Sequence, residues 1–310
     1  MDEFALIRRY FEPLGRPRPE VRLGIGDDAA LLALPPGSEL CITTDTLVAG
    51  RHFAADAAAA DVGWKALAVN LSDLAAMGAA PLAYTLALTL PEADKTWLQG
   101  LAAGLDELAA QHDLALIGGD TTRGPLSLTL TAFGAVPAGR ALRRQGAREG
   151  DLVCVTGTLG DAALALQLGA QAPPALRQRL HRPQPRLAAG QALRELASAG
   201  LDLSDGLAGD LAHLCRASGV GASVRADLLP TSAAFAAAAP AARHLALQAQ
   251  GGDDYELCLT LPPERVEAAT AACGLPLTVI GRITREPGVR FCTAAGEILP
   301  LAPHGYRHFT

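Results

Sequence analysis

The chain has 310 residues, half of them apolar, a formal net charge of −6 and only two lysines, Lys65 and Lys95. The length exceeds that of one typical core and predicts two domains, and the acidic balance without basic runs argues against nucleic-acid binding. No apolar run reaches the roughly 18 residues that cross a bilayer, and the first residues lack a secretory-signal pattern, so no membrane association is expected.

The first half alternates β-favouring runs with helical spacing. An amphipathic helix is predicted over MDEFALIRRYF at the start. Three strands are predicted from alternating and β-branched residues, at 39–44, 82–90 and 126–136. Helices are predicted over 61–77 and about 96–111. In the first of these, an apolar stripe is formed by Trp64, Leu67, Leu71 and Leu74. Asn70 and Asp73 lie on another face of that helix.

The turn-rich, basic stretch PAGRALRRQGAREG, residues 137–150, is predicted to link an N-terminal domain, 1–136, to a C-terminal domain, 151–310. The second half is predicted to contain strands at 151–157, 256–261 and 277–283 and helices near 160–169, 186–199 and 206–218. The alanine-rich stretch 232–243 is helix or loop. Mixed strands and helices in both halves indicate an α/β or α+β layered fold.

Six cysteines are scattered through the chain without a CxxC pair, which leaves zinc and redox motifs unsupported. Most of them stand in strand-like apolar runs such as LVCVTG and ELCLTL. Buried, reduced thiols are the simplest interpretation, and they predict a cytoplasmic protein.

Six stretches of similar kind carry aspartates, and four of them place an aspartate at the end of an apolar run or directly behind a glycine. They are GIGDDAA (24–30), TTDTLVAGRHF (43–53), NLSDLAAMG (70–78), IGGDTTRG (117–124), LDLSDGLAGD (201–210) and QGGDDYELC (250–258). Aspartates gathered in one site raise one another's pKa values, and bound divalent cations remove that conflict. Mg2+ binds carboxylates together with phosphates and water, and glycine lets the backbone approach a phosphate closely. A turn or a helix cap is the alternative for each aspartate taken alone.

The chain contains no G-x-x-x-x-G-K-[ST] sequence and no HRD or DFG motif, which excludes a P-loop and a protein-kinase site. If the protein uses ATP, metals and arginine must therefore hold it on another scaffold.

These stretches, in this order and over nearly the whole chain, resemble the motifs of the thiamine-monophosphate kinases. That family belongs to the superfamily of aminoimidazole ribonucleotide synthetase and selenophosphate synthetase. The resemblance implies phosphoryl transfer from ATP to thiamine monophosphate with several Mg2+ ions, and it leaves a role for K+ open. It also implies two α/β domains of the aminoimidazole-ribonucleotide-synthetase type, the N-terminal domain pairing across a homodimer and ATP held between the domains.

The accepting phosphate monoester is already anionic at neutral pH, because its second pKa is near 6. No general base is then needed, so no catalytic acid–base residue is predicted. Catalysis reduces to in-line alignment and charge neutralisation.

The resemblance assigns metal binding to oxygen-bearing side chains. They are Asp28, Thr43, Thr44, Asp45, Asp73, Asp120, Asp202 and Asp205. A single cage formed by the N-terminal aspartates is the expectation. Asp27 is either part of it or hydrogen-bonds the loop.

The resemblance assigns ATP contacts to Gly119, Asp120, Arg144, Ser204 and His112, with Gly118 beside them. Ser204 and Asp205 precede a predicted helix, whose N-terminus favours both capping residues and bound phosphate. Relatives often carry an aromatic residue at the position of His112, which puts adenine stacking in question. Arg144 is alternatively an ordinary solvated arginine.

Substrate contacts are assigned by resemblance to His52, Asp253 and Tyr306. Asp253 stands where relatives carry glutamate, so it keeps the charge but has shorter reach. Tyr306 either stacks on a cationic ring through a cation–π contact or docks the C-terminal tail.

Three other functions stay open from the residues alone. They are a related enzyme acting on a different phosphate or on selenide, a non-catalytic nucleotide or metal sensor, and a structural role. The first Cys, Cys41, lies in a predicted strand rather than near the N-terminus, which disfavours selenide chemistry.

Overall fold

Each half of the chain builds its own β-sheet with helices, which confirms the predicted mixed α/β class. The computed structural model describes residues 3–301 and Gly305. One unit comprises the chain up to Leu74 together with Ala79–Gly139, and the other comprises Ala75–Gly78 and the chain from Arg140 onward. The main division, at Gly139–Arg140, falls inside the stretch predicted as a linker.

The first unit begins with a short helix, α1 (Glu3–Leu6), followed by a π-helical turn (Ile7–Phe11). Its strands are β1 (Val21–Leu23), β2 (Leu31–Leu32), β3 (Ser38–Val48), β4 (Ala80–Leu90), β5 (Ala115–Arg123) and β6 (Ser127–Pro137). Its long helices are α2 (Ala59–Ala76) and α3 (Lys95–Gln111). Strands β1 and β2 form a small antiparallel pair, and the other four form a sheet in the order β3-β6-β4-β5.

Alternate side chains place different residues on the two faces of the four-stranded sheet. The inner face carries buried leucines such as Leu86 and Leu130. Helix α2 lies on this side, as the hydrogen bond from the Thr43 hydroxyl of β3 to Asp73 of α2 shows. We call the other side the open face. It carries half-exposed and exposed residues of β3, namely Leu40, Ile42, Thr44 and Thr46.

Helices α2 and α3 cross at very close range. A Cβ atom at Gly104 would overlap the carbonyl group of Ala60, and one at Gly63 would overlap the carbonyl oxygen of Leu101. Asp94 caps α3 by accepting a hydrogen bond from the Trp97 N–H at 2.9 Å. The predicted apolar stripe of α2, Trp64 to Leu74, is fully buried.

The second unit contains six strands and seven short helices among the described residues. The strands are β7 (Leu152–Thr156), β8 (Ala199–Asp202), β9 (Gly221–Arg225), β10 (Leu257–Leu261), β11 (Leu277–Thr284) and β12 (Gly288–Cys292). The helices are α4 (Asp161–Leu168), α5 (Pro174–His181), α6 (Leu187–Leu193), α7 (Leu207–Ser218), α8 (Ala233–Ala238), α9 (His244–Gln250) and α10 (Val266–Cys273). The sheet order is β12-β9-β11-β7-β10-β8.

Helix α7 packs its predicted apolar stripe, Leu207, Leu211 and Leu214, into the core of this sheet. All three leucines are fully buried, so the i, i+4, i+7 spacing correctly predicted the buried face. The helix ends at Gly219, which adopts a left-handed conformation with φ 68°.

One element prediction was wrong. The predicted helix over 186–199 stops at Leu193, and Ala199 already belongs to β8, which pairs with β10. The glycine-rich stretch 117–124, for which no element was predicted, lies largely in β5 and pairs with β4 along its length. In both cases a distant strand supplies the hydrogen bonds that the local pattern did not indicate.

The six cysteines are all free thiols, in agreement with the prediction. Among the described residues, no helix combines the length and apolar character needed to pass through a bilayer.

Candidate functional site

Three predicted metal ligands lie around one edge of the four-stranded sheet. Thr43 and Asp45 occupy alternate positions of edge strand β3 and share its inner face. The Thr43 hydroxyl donates a hydrogen bond to Asp73 Oδ2 on helix α2. Burial and the charge of Asp73 together raise the pKa of Cys41, the preceding inner-face residue of β3. The β3–α2 edge therefore collects hard oxygen donors and negative charge.

This donor set is compatible with Mg2+. Among the described residues, no three His, Cys, Asp or Glu side chains group around a possible metal position. Mg2+ usually takes only one or two carboxylates from a protein and completes its shell with phosphate and water oxygens. Asp45, Asp73 and Thr43 are oxygen donors of that kind, so they fit an ion whose shell a bound phosphate completes. Metal ligation by these residues stays a prediction.

Asp120 does not join that edge within one chain. It lies on β5, the opposite edge of the sheet, in register with Ala87, Thr129 and Thr46 on the open face. Asp45 is in register with inner-face Leu130 and Leu86. Three strand spacings, about 14 Å, separate the two edges. The expected single cage containing both Asp45 and Asp120 is thus not formed by one chain, because the strand order places them at opposite edges and on opposite faces.

Thr44 also lies apart from Thr43, although the two are neighbours in sequence. Its side chain is on the open face, where its Oγ1 lies 2.9 Å from Thr131 Oγ1. The open face thus carries Thr44 at one edge and Asp120 at the other. The two threonines of the TTD motif cannot act on the same face of the sheet.

Asp27 and Asp28 lie in the exposed turn between β1 and β2. The Asp28 N–H donates to Asp27 Oδ1 at 2.8 Å, so Asp27 has the loop-stabilising role that was one of its two predicted alternatives. Gly26 in this turn has φ 120°, a conformation that glycine adopts without strain.

Gly119 has a structural requirement besides its predicted approach to ATP. Its φ is 148°, and a Cβ atom there would overlap the carbonyl oxygen of Leu86 on the neighbouring strand. Gly118 has no atom within 4 Å of such a Cβ, so space beside it is open. Gly119 therefore allows β5 to pack closely against β4, and Gly118 leaves its backbone accessible.

The two predicted site histidines of the first unit differ in setting. The Val48 N–H donates to His52 Nδ1 at 2.9 Å, which places the proton of the neutral ring on Nε2. Burial lowers the pKa of His112, the C-terminal cap of α3. Five residues of β5 separate its start at Ala115 from Asp120, about 16 Å of strand, so the structure does not bring His112 beside Asp120 in one chain.

In the second unit, the predicted residues Asp202, Ser204 and Asp205 join the end of β8 to the start of α7. The helix N-cap is Gly206, which has no side chain, so neither Ser204 nor Asp205 occupies the capping position itself. Instead, Asp210 Oδ2 accepts the N–H groups of Asp205 (3.1 Å) and Gly206 (3.0 Å).

Asp210 is a site residue that the sequence reasoning missed. Burial raises its pKa to about 7, with a further increase from the charge of Asp205 and opposing effects of the two N–H groups and Arg144. The sequence did offer a signal for this role, because Asp210 follows the Ser204-Asp205 pair by five residues and stands in the first turn of the predicted helix. Its carboxyl group shapes the loop that presents Asp205.

Arg144 lies within electrostatic reach of this loop. Its positive charge opposes the rise in the pKa of Asp210. It also adds to the lowering of the pKa of His213, one turn further along α7, which burial causes first. Its carbonyl oxygen accepts a hydrogen bond from Ser218 Oγ at 2.9 Å. The prediction that Arg144 serves the same site as Asp205 is consistent with this placement.

Asp253 lies directly beside Ser204. The Asp253 N–H donates to the Ser204 carbonyl oxygen at 2.9 Å, and the Tyr255 N–H donates to that of Leu203 at 2.8 Å. The segment predicted to contact the nucleotide and the segment predicted to contact the substrate are therefore joined by backbone hydrogen bonds. Gly305 also lies here, since a Cβ atom added to it would lie 3.1 Å from Asp205 Cβ. Tyr306 itself lies outside the described residues.

The fold agrees with family comparisons. Residues 26–136 match the family model "AIR synthase related protein, N-terminal domain", and residues 148–292 match the corresponding C-terminal domain. The two matches define the class of the protein as AIR synthase related.

Closer relatives specify the family within that class. The chain is 48% identical to the thiamine-monophosphate kinase of Escherichia coli (strain K12), covering 99% of this chain and 98% of the relative. A crystal structure of thiamine-monophosphate kinase from Stenotrophomonas maltophilia K279a superposes with a TM-score of 0.88 at 48% identity, covering 96% of this chain and 98% of that one. A structure described as AaThiL complexed with AMPPCP and TMP has a TM-score of 0.80 at 31% identity, covering 99% and 97%. The chain belongs to the thiamine-monophosphate kinase family.

Proposed function

We propose that this protein transfers the γ-phosphoryl group of ATP to thiamine monophosphate, giving thiamine diphosphate and ADP. The observation that carries the proposal is the likeness over 99% of the chain to a structure that holds AMPPCP and TMP, which stand for ATP and thiamine monophosphate. The acceptor phosphate oxygen is anionic at neutral pH and attacks without a protein base.

The first unit supplies the oxygen donors for magnesium. Asp45, Asp73 and Thr43 on the β3–α2 edge would hold it, and Asp28, Thr44 and Asp120 are further candidates elsewhere in the unit. When bound, Mg2+ neutralises donor phosphate charge. His52, with its Nδ1 occupied by the Val48 N–H, directs an Nε2–H donor toward the acceptor.

The second unit supplies groups for both phosphate-bearing molecules. Arg144 offers a guanidinium group for ATP phosphates, and the Ser204 hydroxyl offers a further polar contact beside it. Asp202 and Asp205 are the candidate metal ligands of this unit. Asp253, next to Ser204, directs a carboxylate toward the cationic part of thiamine. All of these groups bind and align, and none needs to accept a proton.

The test is a reaction of purified protein with ATP, Mg2+ and thiamine monophosphate, with thiamine diphosphate and ADP quantified by chromatography. Equal amounts of both products are expected, with no thiamine diphosphate from thiamine or in the presence of EDTA. ADP without thiamine diphosphate would show an ATPase or a different acceptor. No turnover of ATP, with Mg2+-dependent thermal stabilisation by ATP, would favour a nucleotide sensor instead.

We infer that the working form is a homodimer joined through the open face. That face carries Leu40 and Ile42, which are 41% and 55% exposed, beside the threonine rows of β3 and β6. The open-face residues Thr44 and Asp120 lie at opposite edges of one sheet. A second copy against this face can bring Thr44 close to the partner's Asp120. The free cysteines are in keeping with a reducing, cytoplasmic location.

A further inference from the structure

The backbone around Asp253 is held in an unusual conformation. Asp253 and Tyr255 have φ values of 67° and 50°, and they are two of only three non-glycine residues with positive φ in the described part of the chain. Side-chain-bearing residues occupy this region at a cost and keep it only where the surroundings impose it. The segment 252–256 must therefore be anchored by the residues that surround it.

Asp254 provides one anchor. It is 2% exposed, and its Oδ1 accepts the Gly160 N–H at 2.9 Å, while its carbonyl oxygen accepts a hydrogen bond from Arg179 at 3.2 Å. Its Oδ2 has no hydrogen-bond partner among the described residues. The side chain is therefore pinned into the protein interior between two residues with positive φ.

Glu256 provides the second anchor. It is fully buried, and it accepts hydrogen bonds from Arg179 (2.8 Å), Arg186 Nε (2.8 Å) and Thr156 Oγ1 (2.7 Å). Arg179 and Arg186 carry two positive charges, and Glu256 and Asp161 carry two negative charges. The cluster therefore has no net charge when Asp254 is protonated. The alternate residues 254 and 256 thus point inward and hold the strand end rigidly.

Tyr255 completes the arrangement by contacting Asp253 itself. Its hydroxyl group donates to Asp253 Oδ1 at 2.9 Å, and its ring is largely buried. With the Asp253 N–H bonded to Ser204, both the backbone and the carboxylate of Asp253 are oriented.

We infer that Tyr255 and Asp254 are positioning residues that aim the Asp253 carboxylate at the cationic ring of the acceptor. This inference rests on the proposed function. The resemblance places Asp253 at a position where a glutamate is expected. An aspartate has a shorter reach, so its backbone must be held in a well-defined position for its carboxylate to contact the substrate.

The first test uses Tyr255→Phe, which removes one hydroxyl group and keeps the buried ring. The KM for thiamine monophosphate should rise about tenfold, since a hydrogen bond to a charged group is lost, while the KM for ATP stays unchanged. A purely structural role would leave the two KM values unchanged or alter both. Unchanged KM values in an active, folded variant would overturn the inference.

The second test compares Asp254→Ala with Asp254→Asn. Asparagine keeps an oxygen for the Gly160 N–H and should retain the wild-type KM for thiamine monophosphate, whereas alanine should raise it about tenfold or more. Hydrogen exchange followed by mass spectrometry should show faster exchange at residues 253–255 in Asp254→Ala only. Equal KM values in the two variants would contradict the inference.

Asp151→Ala is the matched control. Asp151 is 5% exposed in the same unit, where its Oδ2 accepts hydrogen bonds from the Arg148 N–H (2.9 Å) and Ser198 Oγ (2.6 Å). Its loss should lower stability without changing the KM for thiamine monophosphate. If the wild-type protein makes no thiamine diphosphate, the proposed function fails and this inference with it. If the wild type is active and the variants keep its KM, only this inference fails.

Discussion

Thr43 and Asp45 lie on the inner side of an edge strand, and Asp73 faces them from helix α2. The hydroxyl of Thr43 bridges toward helix α2, and Asp45 follows on the same face of β3. Negative charge concentrated there is unfavourable without a cation. The same charge becomes useful when it holds a metal against phosphate oxygens.

Asp45→Asn should lower kcat by about 10²–10³-fold, because it removes charge that serves the transferring phosphoryl group. The fold should persist, since a half-exposed edge position tolerates an isosteric amide. Steady-state kinetics measure kcat, and thermal unfolding checks that the fold persists. Glu39→Gln on the same strand, where Oε2 only accepts the Gly139 N–H at 3.2 Å, is the control and should keep wild-type turnover. Wild-type kcat in Asp45→Asn would remove Asp45 from the metal set.

Asp254 makes stability depend on pH in a predictable direction. Burial raises the pKa of Asp254 well above its usual value, with Glu256 and Asp161 adding to the effect and the Gly160 N–H and Arg179 opposing it. The unfolded chain loses this proton near pH 4, whereas the folded protein keeps it to higher pH. The free energy of unfolding therefore falls as pH rises from about 4 toward the folded-state pKa.

Asp254→Asn lacks this proton equilibrium. The free energy of unfolding of the variant, minus that of the wild type, should increase between pH 4.5 and 7, by at most about 1.4 kcal/mol per pH unit. Urea unfolding at several pH values measures it. A difference that stays constant with pH would mean that Asp254 is ionised in the folded protein.

At the scale of elements, close helix packing in the first unit depends on missing side chains. Gly104 of α3 lies against the backbone of Ala60, and the contact involves a carbonyl group that cannot move without disturbing α2. Glycines at these positions thus let α2 and α3 approach each other closely.

Gly104→Ala should lower the free energy of unfolding by about 1–3 kcal/mol, as expected for overpacking. Gly100→Ala on the same helix is the matched control. Its new Cβ would lie 3.0 Å from Ala59 Cβ, a contact that a shift of a few tenths of an ångström relieves, and the gain in helix propensity offsets about 1 kcal/mol. Denaturant unfolding of both variants gives the comparison, and equal stabilities would contradict the packing argument.

For the whole molecule, the question is how residues at opposite edges of the sheet can serve one reaction. Thr44 and Asp120 share the open face but are separated by two intervening strands. The proposed homodimer across that face would resolve the separation and would cover Leu40 and Ile42.

Ile42→Glu should therefore convert the dimer to a monomer, because a buried unpaired charge at the interface is costly. Multi-angle light scattering after size-exclusion chromatography measures the mass. Leu166→Glu is the control, since Leu166 is 68% exposed on α4 in the other unit. The control should keep the mass of the wild type. A wild-type protein that is monomeric at micromolar concentration would contradict the proposal.

Much of the element layout was predictable because local periodicity reflects burial. The stripes Trp64–Leu74 and Leu207–Leu214 are both buried as their spacing indicated. Strands β5 and β8 were missed because glycine and alanine carry little β-signal, and their partners β4 and β10 supply the pairing. Asp210 was missed because its role is to accept hydrogen bonds from the loop before its own helix, which needs a folded turn to be visible.

The sequence by itself determined the ordered motifs, and through them the family. Only the tertiary structure decided which acids share a surface. Strand order and register set Asp45 and Asp120 on opposite faces, and they depend on pairings between segments some 85 residues apart, such as Asp45 with Leu130. The conformation of Asp253 likewise depends on Gly160, Arg179 and Arg186, 70 to 94 residues from the acids they contact. Local residue patterns cannot encode such anchors, because their energy exists only once distant segments have been brought together.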